Sequence, residues 1–292
     1  MILLTGATGF IGSHLLARAA SQFDFRCLVR PASRSRVRGS GKIEIVEGDL
    51  LSEDAVRRAV QGADTVLHLA ALIRRDSPEN IFRVNVEGTR LLVSEARKAG
   101  VRRFIFVSTE NALREDLDDA YAVSKRRAEE IVAGFPGSLI LRPCFVYGRG
   151  DDHGLGRLIE MLERSPIVPL FGGLKARIQP VSIEDMVEYL VRALRSELKG
   201  AYVIAGPEAI GLNDFLKAVA RARKKRRLFI PVPYALFKVS ALLCQTLPRR
   251  AGWGMAQLNN IYGSRTYPIE RTVRDFGHSP RPVEAGLAEW LR

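Results

Sequence analysis

The first fifteen residues constrain the fold of this chain more than any other stretch of its sequence. An apolar run at 2–4 predicts a buried strand, and an apolar helical face begins at Phe10. Between them lie three glycines at three-residue intervals, Gly6, Gly9 and Gly12. A strand, a glycine-rich turn and a helix in this order form the first half of a dinucleotide-binding βαβ unit, whose helix N-terminus favours a bound pyrophosphate.

Each glycine has its own reason to lack a side chain in such a unit. Gly6 would allow the tight turn, and Gly9 would let the backbone approach a pyrophosphate whose space a side chain would fill. Gly12 would let the helix pack closely on the sheet. A plain turn is the alternative interpretation, but the position directly between a strand and a helix favours the nucleotide site.

Apolar and amphipathic stretches then alternate along the chain, which is typical of a parallel sheet covered by helices. The pattern predicts strands at 25–29, 42–46, 65–69, 103–107, 138–141 and 201–204. It predicts helices at 10–21, 53–60, 77–99, 121–133, 155–164, 185–194 and 212–222. We therefore predict an α/β fold with a Rossmann-type doubly wound parallel sheet. The nucleotide-binding domain would occupy 1–150, and a smaller substrate-binding part that interleaves with it would occupy 151–292.

A tyrosine and a lysine four residues apart form the second chemical feature, Tyr121 and Lys125. On a helix this spacing places both side chains on one face. A free phenol has a pKa of about 10, and a nearby ammonium group favours the phenolate. Tyr121 could then exchange a proton with a substrate hydroxyl or carbonyl group while hydride moves to or from a nicotinamide. A tyrosine and a lysine on an exposed helix are the alternative.

Three motifs in this order resemble the extended branch of the short-chain dehydrogenase/reductase superfamily, which includes the sugar epimerases and dehydratases. They are TGATGFIG at 5–12, NVEGT at 85–89 and YAVSK at 121–125. The segment LRPCFVYG at 141–148 is also similar to the family's R-P-x-x-V-Y-G, and the resemblance covers essentially the whole chain. The chain resembles, in addition, the reductase-like relatives of a respiratory complex I accessory subunit.

The resemblance implies a catalytic set of Tyr121, Lys125 and a Ser or Thr just past the strand at 103–107. By register we take Thr109 as the third residue, with Ser108 as the alternative. Lys125 would also hold the nicotinamide ribose. One departure is the short segment of eleven residues between Thr109 and Tyr121, which carries five carboxylates that would oppose a phenolate. We expect no metal site.

The resemblance also implies a set of cofactor-binding residues that extends well beyond the glycine turn. An Asp-Leu pair is expected beside the adenine ring, although the aspartate could simply be a turn residue before the helix at 53–60. A histidine at 68 resembles a structural histidine of the family. The expected cofactor contacts are Gly6, Thr8, Gly9, Phe10, Ile11, Gly12, Arg30, Asp49, Leu50, Leu69, Ala70, Ala71, Asn85, Tyr121, Lys125, Pro143 and Val146.

The end of the second strand bears on the choice between NADP and NAD. Proteins that select NAD often place a carboxylate there, about 20 residues after the glycines. This chain has Arg30 at that position, with Arg34 and Arg36 close behind, whereas Asp24 comes too early. A guanidinium suits the 2′-phosphate of NADP, so we predict NADP, with NAD as the alternative. A solvated basic loop is the other interpretation.

The chain is strongly basic, with a formal net charge of +13. No pattern of interleaved aromatic and basic residues predicts nucleic-acid binding. A basic run at 221–227 precedes an apolar stretch at 231–247, and two arginines follow it at 249–250. The stretch 221–250 could therefore hold a short apolar helix, flanked by cations, that contacts a membrane surface or docks a partner. The alternative is a helix packed over the substrate cleft, with the cations on a solvated loop. The absence of a leader and of a spanning stretch predicts a cytoplasmic protein. The helices at 77–99 and 121–133 could form a homodimer interface, as in relatives.

The predicted function is an NAD(P)-dependent oxidoreductase or epimerase that transfers hydride to or from an alcohol or ketone carbon of a small-molecule substrate. Sugar epimerases often carry Asn where this chain has Cys144 and Phe145. This difference makes a nucleotide sugar a less favoured substrate. The alternative is a catalytically silent nucleotide-binding accessory or sensor protein. Intact Tyr121 and Lys125 argue against it, because a binder needs no activated phenol.

Overall fold

The N-terminal strand β1 (Ile2–Thr5) lies inside a parallel sheet in the computed structural model of the chain. The structure describes residues 1–73, 76–151, 159, 162, 164–172, 177–233, 236 and 266–290. All four residues of β1 are buried, because neighbouring strands flank it on both sides and helices cover the sheet. This double coverage explains why the strand is a continuous apolar run.

The sheet has seven strands in the order β11-β6-β5-β4-β1-β2-β3, and each neighbouring pair is parallel. The strands are β2 (Phe25–Val29), β3 (Ile43–Glu47), β4 (Thr65–His68), β5 (Arg103–Val107), β6 (Ser138–Pro143) and β11 (Gly200–Ile204), with β1 inside. From β1 the chain adds β2 and β3 on one side and then returns to add β4 on the other side, so the switch point lies between β1 and β4. In open α/β sheets, ligands bind at the carboxyl ends of the strands beside such a switch point. The predicted α/β, doubly wound fold is confirmed.

Helices cover both faces of this sheet. On one face α2 (Glu53–Val60), α4 (Thr89–Lys98) and α5 (Ala120–Ala133) share a single apolar core with the strands. On the other, α1 (Phe10–Ala19) packs against α6 (Ile183–Arg195). The remaining described helices are α3 (Pro78–Phe82), α7 (Leu212–Ala222), α8 (Glu270–Phe276) and α9 (Val283–Trp290).

The long helix expected at 77–99 is present from Pro78 to Lys98, but its middle part is not α-helical. A π-helical turn at Arg83–Gly88 separates α3 from α4. Asn85 lies in this turn and its side chain is bonded to both backbone groups of Leu72, which a regular amphipathic pattern does not reveal. Wider turns of this kind occur mostly as single insertions in α-helices, frequently at functional sites.

Two compact units make up the chain. The first unit consists of Met1–Pro143, Ile183–Ile204 and Glu270–His278, and it contains the seven-stranded sheet. The second unit consists of Cys144–Ser182, Ala205–Ile269 and Ser279–Arg292.

The second unit has its own apolar core, in which the ring of Tyr147 meets those of Phe215 and Trp290. Its described strands form three two-stranded sheets: β7 (Val146–Tyr147) with β10 (Val181–Ser182), β8 (Ile167–Gly172) with β13 (Leu228–Pro233), and β9 (Arg177–Ile178) with β12 (Ile210–Gly211).

Two predicted helices lie mostly outside the residues that the structure describes. The helix expected at 155–164 lies mostly outside them. The apolar helix considered at 231–247 is wrong at its first three residues, which belong to β13, and the rest of it except 236 lies outside the described residues. Among the residues that are described, no helix is long and apolar enough to cross a membrane.

Candidate dinucleotide-binding and catalytic site

The glycine turn after β1 has the conformation that its sequence predicts. Gly6 has a φ of 78°, in the left-handed region that favours glycine, and a Cβ atom there would lie 2.7 Å from the amide nitrogen of Ala70. A Cβ atom on Gly12 would clash with the carbonyl oxygen of Gly6. Gly12 therefore allows the helix to pack on the turn itself, rather than on the sheet as expected.

Gly9 is the exposed residue of this turn, and it is the N-cap of α1. The first amide groups of any helix have no intrahelical acceptor, and in α1 the N-cap residue provides no side chain to bind them. A Cβ atom on Gly9 would meet only the Gly6 carbonyl oxygen, at 3.3 Å. Thr8, Phe10 and Ile11 are partly exposed around it. This cradle of bare backbone fits a pyrophosphate group.

The small-residue loop after β4 lies directly against the glycine turn. The amide of Leu69 donates to the carbonyl oxygen of Thr5 at 3.1 Å, and the amide of Ala70 donates to Thr5 Oγ1 at 3.3 Å. Ala71 is partly exposed beside them. The fold therefore brings the two predicted cofactor segments, Gly6 to Gly12 and Leu69 to Ala71, into contact.

His68 connects this loop to α4 through two threonines. Its Nδ1 atom is 2.6 Å from Thr5 Oγ1, and its Nε2 atom is 2.9 Å from Thr89 Oγ1. Thr89 donates its hydroxyl proton to the carbonyl oxygen of Asn85, so it must accept from Nε2–H of the histidine. Nδ1 is then the acceptor for the Thr5 hydroxyl. Complete burial, with a smaller effect of Lys125, lowers the pKa of His68 to about 3, which keeps the ring neutral.

Asn85 continues the network towards the catalytic helix. Its Nδ2 atom donates to the carbonyl oxygen of Leu72 at 2.9 Å and to Ser124 Oγ at 3.0 Å. Ser124 in turn donates to the carbonyl oxygen of Tyr121 at 2.8 Å. Asn85 is 2% exposed, so its side chain positions the loop after β4 and the start of α5. Direct contact with a cofactor remains a prediction for this residue.

Lys125 is buried in the first unit, with 2% of its surface exposed. Its Nζ atom donates to the carbonyl oxygen of Val107 at 2.7 Å and lies 3.9 Å from the centre of the Phe106 ring. Burial lowers the pKa of Lys125 to about 7, and the nearby charge of Glu129 opposes this effect. The ammonium group is therefore held at a fixed place at the end of β5, one helical turn from Tyr121.

Tyr121 lies in the first turn of α5 and is partly exposed. Asp119 is the N-cap of this helix and accepts from the amides of Tyr121 and Ala122, at 3.0 Å and 3.2 Å. Asp116 pairs with Arg114. The acidic segment between Thr109 and Tyr121 therefore uses two of its five carboxylates for helix capping and ion pairing, which reduces their opposition to a phenolate.

Ser108 and Thr109 follow β5 as predicted, and both are buried, at 4% and 8% exposed. Thr109 Oγ1 accepts from the amide of Asn111 at 3.3 Å and begins a short 3₁₀ turn. The Ser108 hydroxyl has no hydrogen-bond partner within the described part of the chain. A buried hydroxyl without a partner costs free energy, which a substrate or cofactor oxygen would recover.

The three arginines considered for the 2′-phosphate of NADP, which follow β2, differ in their contacts. Arg34 pairs with Glu47 at the end of β3, and Arg36 donates to Ser33 Oγ at 2.8 Å. Arg30 is exposed at the end of β2, and its guanidinium group contacts no partner among the described residues. Of these three arginines, Arg30 is therefore the one whose guanidinium group is exposed without a described partner, and its contact with a cofactor stays a prediction.

The other residues predicted to contact the cofactor differ in their exposure and position. Asp49 is exposed and accepts from the amide of Leu51 at 2.9 Å, as a turn residue would. Leu50 is 7% exposed and packs in the core. Pro143 ends β6 and Val146 begins β7, in the first and second units respectively. Their contacts with a cofactor stay predictions.

Four residues that position the site are not predicted as site residues by the sequence: Thr5, Thr89, Ser124 and Phe106. The first three lie inside the motifs at 5–12, 85–89 and 121–125, but the motifs alone do not show which side chains they contact. No group of three or more His, Cys, Asp or Glu side chains that could hold a metal ion occurs in the described ranges.

The sheet order, the glycine cradle and the Tyr-Lys helix define a nucleotide-binding α/β protein of the extended short-chain dehydrogenase/reductase type. The sequence model of the NAD dependent epimerase/dehydratase family matches residues 2–205. The chain therefore belongs to this family of oxidoreductase-type enzymes, whose cofactor is a nicotinamide dinucleotide.

Individual relatives agree with this assignment. A ceramide reductase of Caulobacter vibrioides (strain NA1000 / CB15N) is 38% identical over 240 residues, which are 80% of this chain and 74% of the relative. NADH dehydrogenase [ubiquinone] 1 alpha subcomplex subunit 9, mitochondrial, of Mus musculus is 29% identical over 303 residues, 98% of this chain and 78% of the relative. The crystal structure of gox2253 has a TM-score of 0.80 and 26% identity, and the match covers 100% of this chain and 96% of that one.

Proposed function

We propose that this protein is an NAD(P)-dependent reductase that interconverts a ketone and an alcohol, with Tyr121 as the acid/base. The observation that carries the proposal is the buried ammonium group of Lys125, fixed by Val107 one helical turn from Tyr121. Placing an ammonium group there lowers stability, because burial penalises its charge. A protein that only bound a nucleotide could use the lysine to hold the ribose, but it would have no need of a phenol one helical turn from the ammonium group.

The cofactor fits the residues of the first unit. The glycine turn would receive the pyrophosphate, and Lys125 would hold the nicotinamide ribose, whereas a side chain at Gly6 or Gly12 would clash with neighbouring backbone. When bound, the nicotinamide supplies hydride to the substrate carbon or accepts hydride from it.

Side chains of the protein donate and accept the proton of the reaction. In the direction of reduction, the Tyr121 hydroxyl donates its proton to the substrate oxygen as that oxygen becomes negative, and the ammonium group of Lys125 stabilises the resulting phenolate. Ser108 or Thr109 donates a hydrogen bond to the same oxygen. In the direction of oxidation, the phenolate takes the proton back.

NADP is the preferred cofactor in this proposal, and a lipid ketone is the preferred substrate class. Arg30 supports NADP, since its exposed guanidinium group suits a 2′-phosphate and Arg34 and Arg36 are engaged elsewhere. The ceramide reductase supports a lipid substrate by its 38% identity. Epimerisation or dehydration of a nucleotide sugar is the less favoured activity, because Cys144 and Phe145 stand where sugar epimerases often carry Asn.

The second candidate function is a silent nucleotide-binding accessory protein, supported by the mitochondrial relative that covers 98% of this chain. One experiment separates the two candidates. Purified protein is incubated with NADPH or NADH and long-chain ketones, and oxidation of the cofactor is followed by absorbance, with Tyr121→Phe as the control. Turnover that Tyr121→Phe removes supports the reductase. Stabilisation by nucleotide without any turnover supports the accessory protein.

A further inference from the structure

The second unit carries a basic segment at the end of α7 and in the loop that leads to β13. Residues 215–233 contain seven lysines and arginines and no aspartate or glutamate. A shallow hollow of about 440 Å³ lies among them, lined by Phe229 and five cations, Lys217, Arg221, Lys224, Lys225 and Arg226. So many like charges in one place favour an anionic partner.

The turn after α7 gives the loop a defined shape. Lys224 has a φ of 52°, and its amide donates to the carbonyl oxygen of Arg221 at 2.9 Å. The amide of Lys225 donates to the carbonyl oxygen of Ala220 at 3.1 Å. These two hydrogen bonds close the helix and present Lys224 and Arg226, both exposed, at the surface.

The strand that follows the loop has one apolar face in the core and one apolar face outside. In the pair β8–β13, Val168 and Phe229 pack into the core of the second unit. The alternate residues Ile167, Leu228 and Ile230 are 48%, 60% and 40% exposed. Leu228 lies directly opposite Ile167 in the register of the two strands.

This concentration of exposed apolar side chains is unusual for the molecule. Of the six large hydrophobic side chains that are exposed in the described ranges, three lie on this one pair of strands. Exposure alternates from the loop into the strand, so that Arg226, Leu228 and Ile230 share the outward positions. Cations and apolar groups of the second unit are therefore presented together.

We propose that the loop Arg223 to Arg227 and the outer face of β8–β13 form a docking surface for a membrane that contains anionic lipid. Lysines and arginines are attracted to an anionic leaflet, and exposed apolar side chains beside them enter the boundary between headgroups and acyl chains. A nucleic acid or a free phosphate compound would account for the cations alone. The inference does not depend on the proposed reductase activity.

Co-sedimentation with vesicles tests the docking surface on the full chain. We expect the protein to bind vesicles of phosphatidylcholine mixed with phosphatidylglycerol, to bind phosphatidylcholine alone far more weakly, and to dissociate as salt is raised. Lys224→Glu with Arg226→Glu should weaken binding about 30-fold or more, because each cation near an anionic leaflet contributes about a factor of five. Leu228→Ser with Ile230→Ser should weaken it as well.

Two matched controls separate a local surface from general charge or hydrophobicity. Arg18→Glu with Lys199→Glu changes the net charge by the same amount at exposed sites of the first unit, and Ile45→Ser removes an exposed apolar side chain there. Both should bind vesicles as the unchanged protein does, and thermal unfolding checks that every variant is folded at the temperature of the assay. Failure of the unchanged protein to bind anionic vesicles, or an equal loss in the Arg18 and Lys199 control, would overturn the proposal.

Discussion

The Nζ atom of Lys125 donates a hydrogen bond of 2.7 Å to the carbonyl oxygen of Val107, the last residue of β5. This bond joins α5 to the carboxyl end of the sheet, where parallel sheets of this type bind their ligands. The Phe106 ring, 3.9 Å away, provides a second favourable contact for the charge. The helix that carries Tyr121 is thereby anchored at the edge of the candidate site.

Replacing Tyr121 tests the proton transfer. We expect Tyr121→Phe to lower kcat by about 10²- to 10⁴-fold, because general acid catalysis supplies a factor of that size. Nucleotide binding should survive, with a stabilisation of about 2.7 kcal/mol at a concentration 100 times the Kd. Steady-state kinetics and thermal unfolding with NADPH measure the two effects. Unchanged turnover in the variant would remove Tyr121 from the mechanism.

Lys125→Met should abolish turnover and raise the free energy of unfolding by about 1 kcal/mol or more, because it removes a buried charge. The sign of the pH effect follows from the pKa of Lys125, which burial lowers to about 7. An unfolded lysine titrates near pH 10.4, so between about pH 7 and pH 10 the unfolded chain binds the extra proton. The free energy of unfolding therefore rises with pH in this range.

Denaturant titrations at several pH values measure that rise, which Lys125→Met should remove. The exposed Lys199 supplies the control, because Lys199→Met should leave both the pH dependence and the activity unchanged. If Lys125→Met proves less stable than the unchanged protein at neutral pH, the buried ammonium group does not destabilise the fold.

Arg30→Asp should reverse the preference between cofactors. A carboxylate at the end of β2 repels the 2′-phosphate of NADP and can accept hydrogen bonds from the ribose hydroxyls of NAD. We expect the ratio of kcat/KM for NADPH to that for NADH to fall at least tenfold. Arg18→Asp, at an exposed position of α1, is the control for net charge. An unmoved ratio would show that Arg30 does not contact the 2′-phosphate.

Thr89→Val tests the network through His68. The substitution keeps the shape of the side chain but leaves the Nε2–H group of a fully buried histidine without an acceptor, which costs about 1–3 kcal/mol. Thr65→Val, on the same strand as His68, should cost less, since Thr65 is only partly buried. Equal losses in urea denaturation of the two variants would contradict the hydrogen-bond directions that we derive.

Acid should unfold the protein through the same histidine. Burial lowers the pKa of His68 to about 3, while an unfolded histidine titrates near 6.5. Between these values the unfolded chain binds the extra proton, so the free energy of unfolding falls as the pH is lowered from about 6.5 to about 3. His68→Gln should flatten this dependence, whereas His14→Gln, on α1, should not. An unchanged slope in His68→Gln would assign acid sensitivity to other groups.

The local patterns of the sequence were sufficient for the sheet and for the chemistry of single motifs. The apolar run at β1, the glycines with Gly6 at positive φ, and the four-residue spacing of Tyr121 and Lys125 each depend on neighbours along the chain. Such short-range signals can be recognised in the sequence without knowledge of the fold. The family assignment followed from the same motifs.

The tertiary structure decided which polar groups meet. Thr5, His68 and Thr89 come from β1, β4 and α4, and no periodicity predicts that their side chains form one chain of hydrogen bonds. The π-helical turn at Asn85 likewise depends on contacts with Leu72 and Ser124, which are distant in sequence. The strand at Leu228–Pro233, which the sequence did not predict and which includes the first three residues of the helix considered at 231–247, pairs in parallel with β8.

The sequence by itself therefore determined the order of the elements, the nucleotide turn and the identity of the Tyr-Lys pair, since these arise from local backbone preference and hydrophobic periodicity. Only the tertiary structure decided the burial of Lys125, the neutral state of His68 and the exposure of Leu228. Desolvation and hydrogen-bond partners depend on atoms that the fold brings from far along the chain.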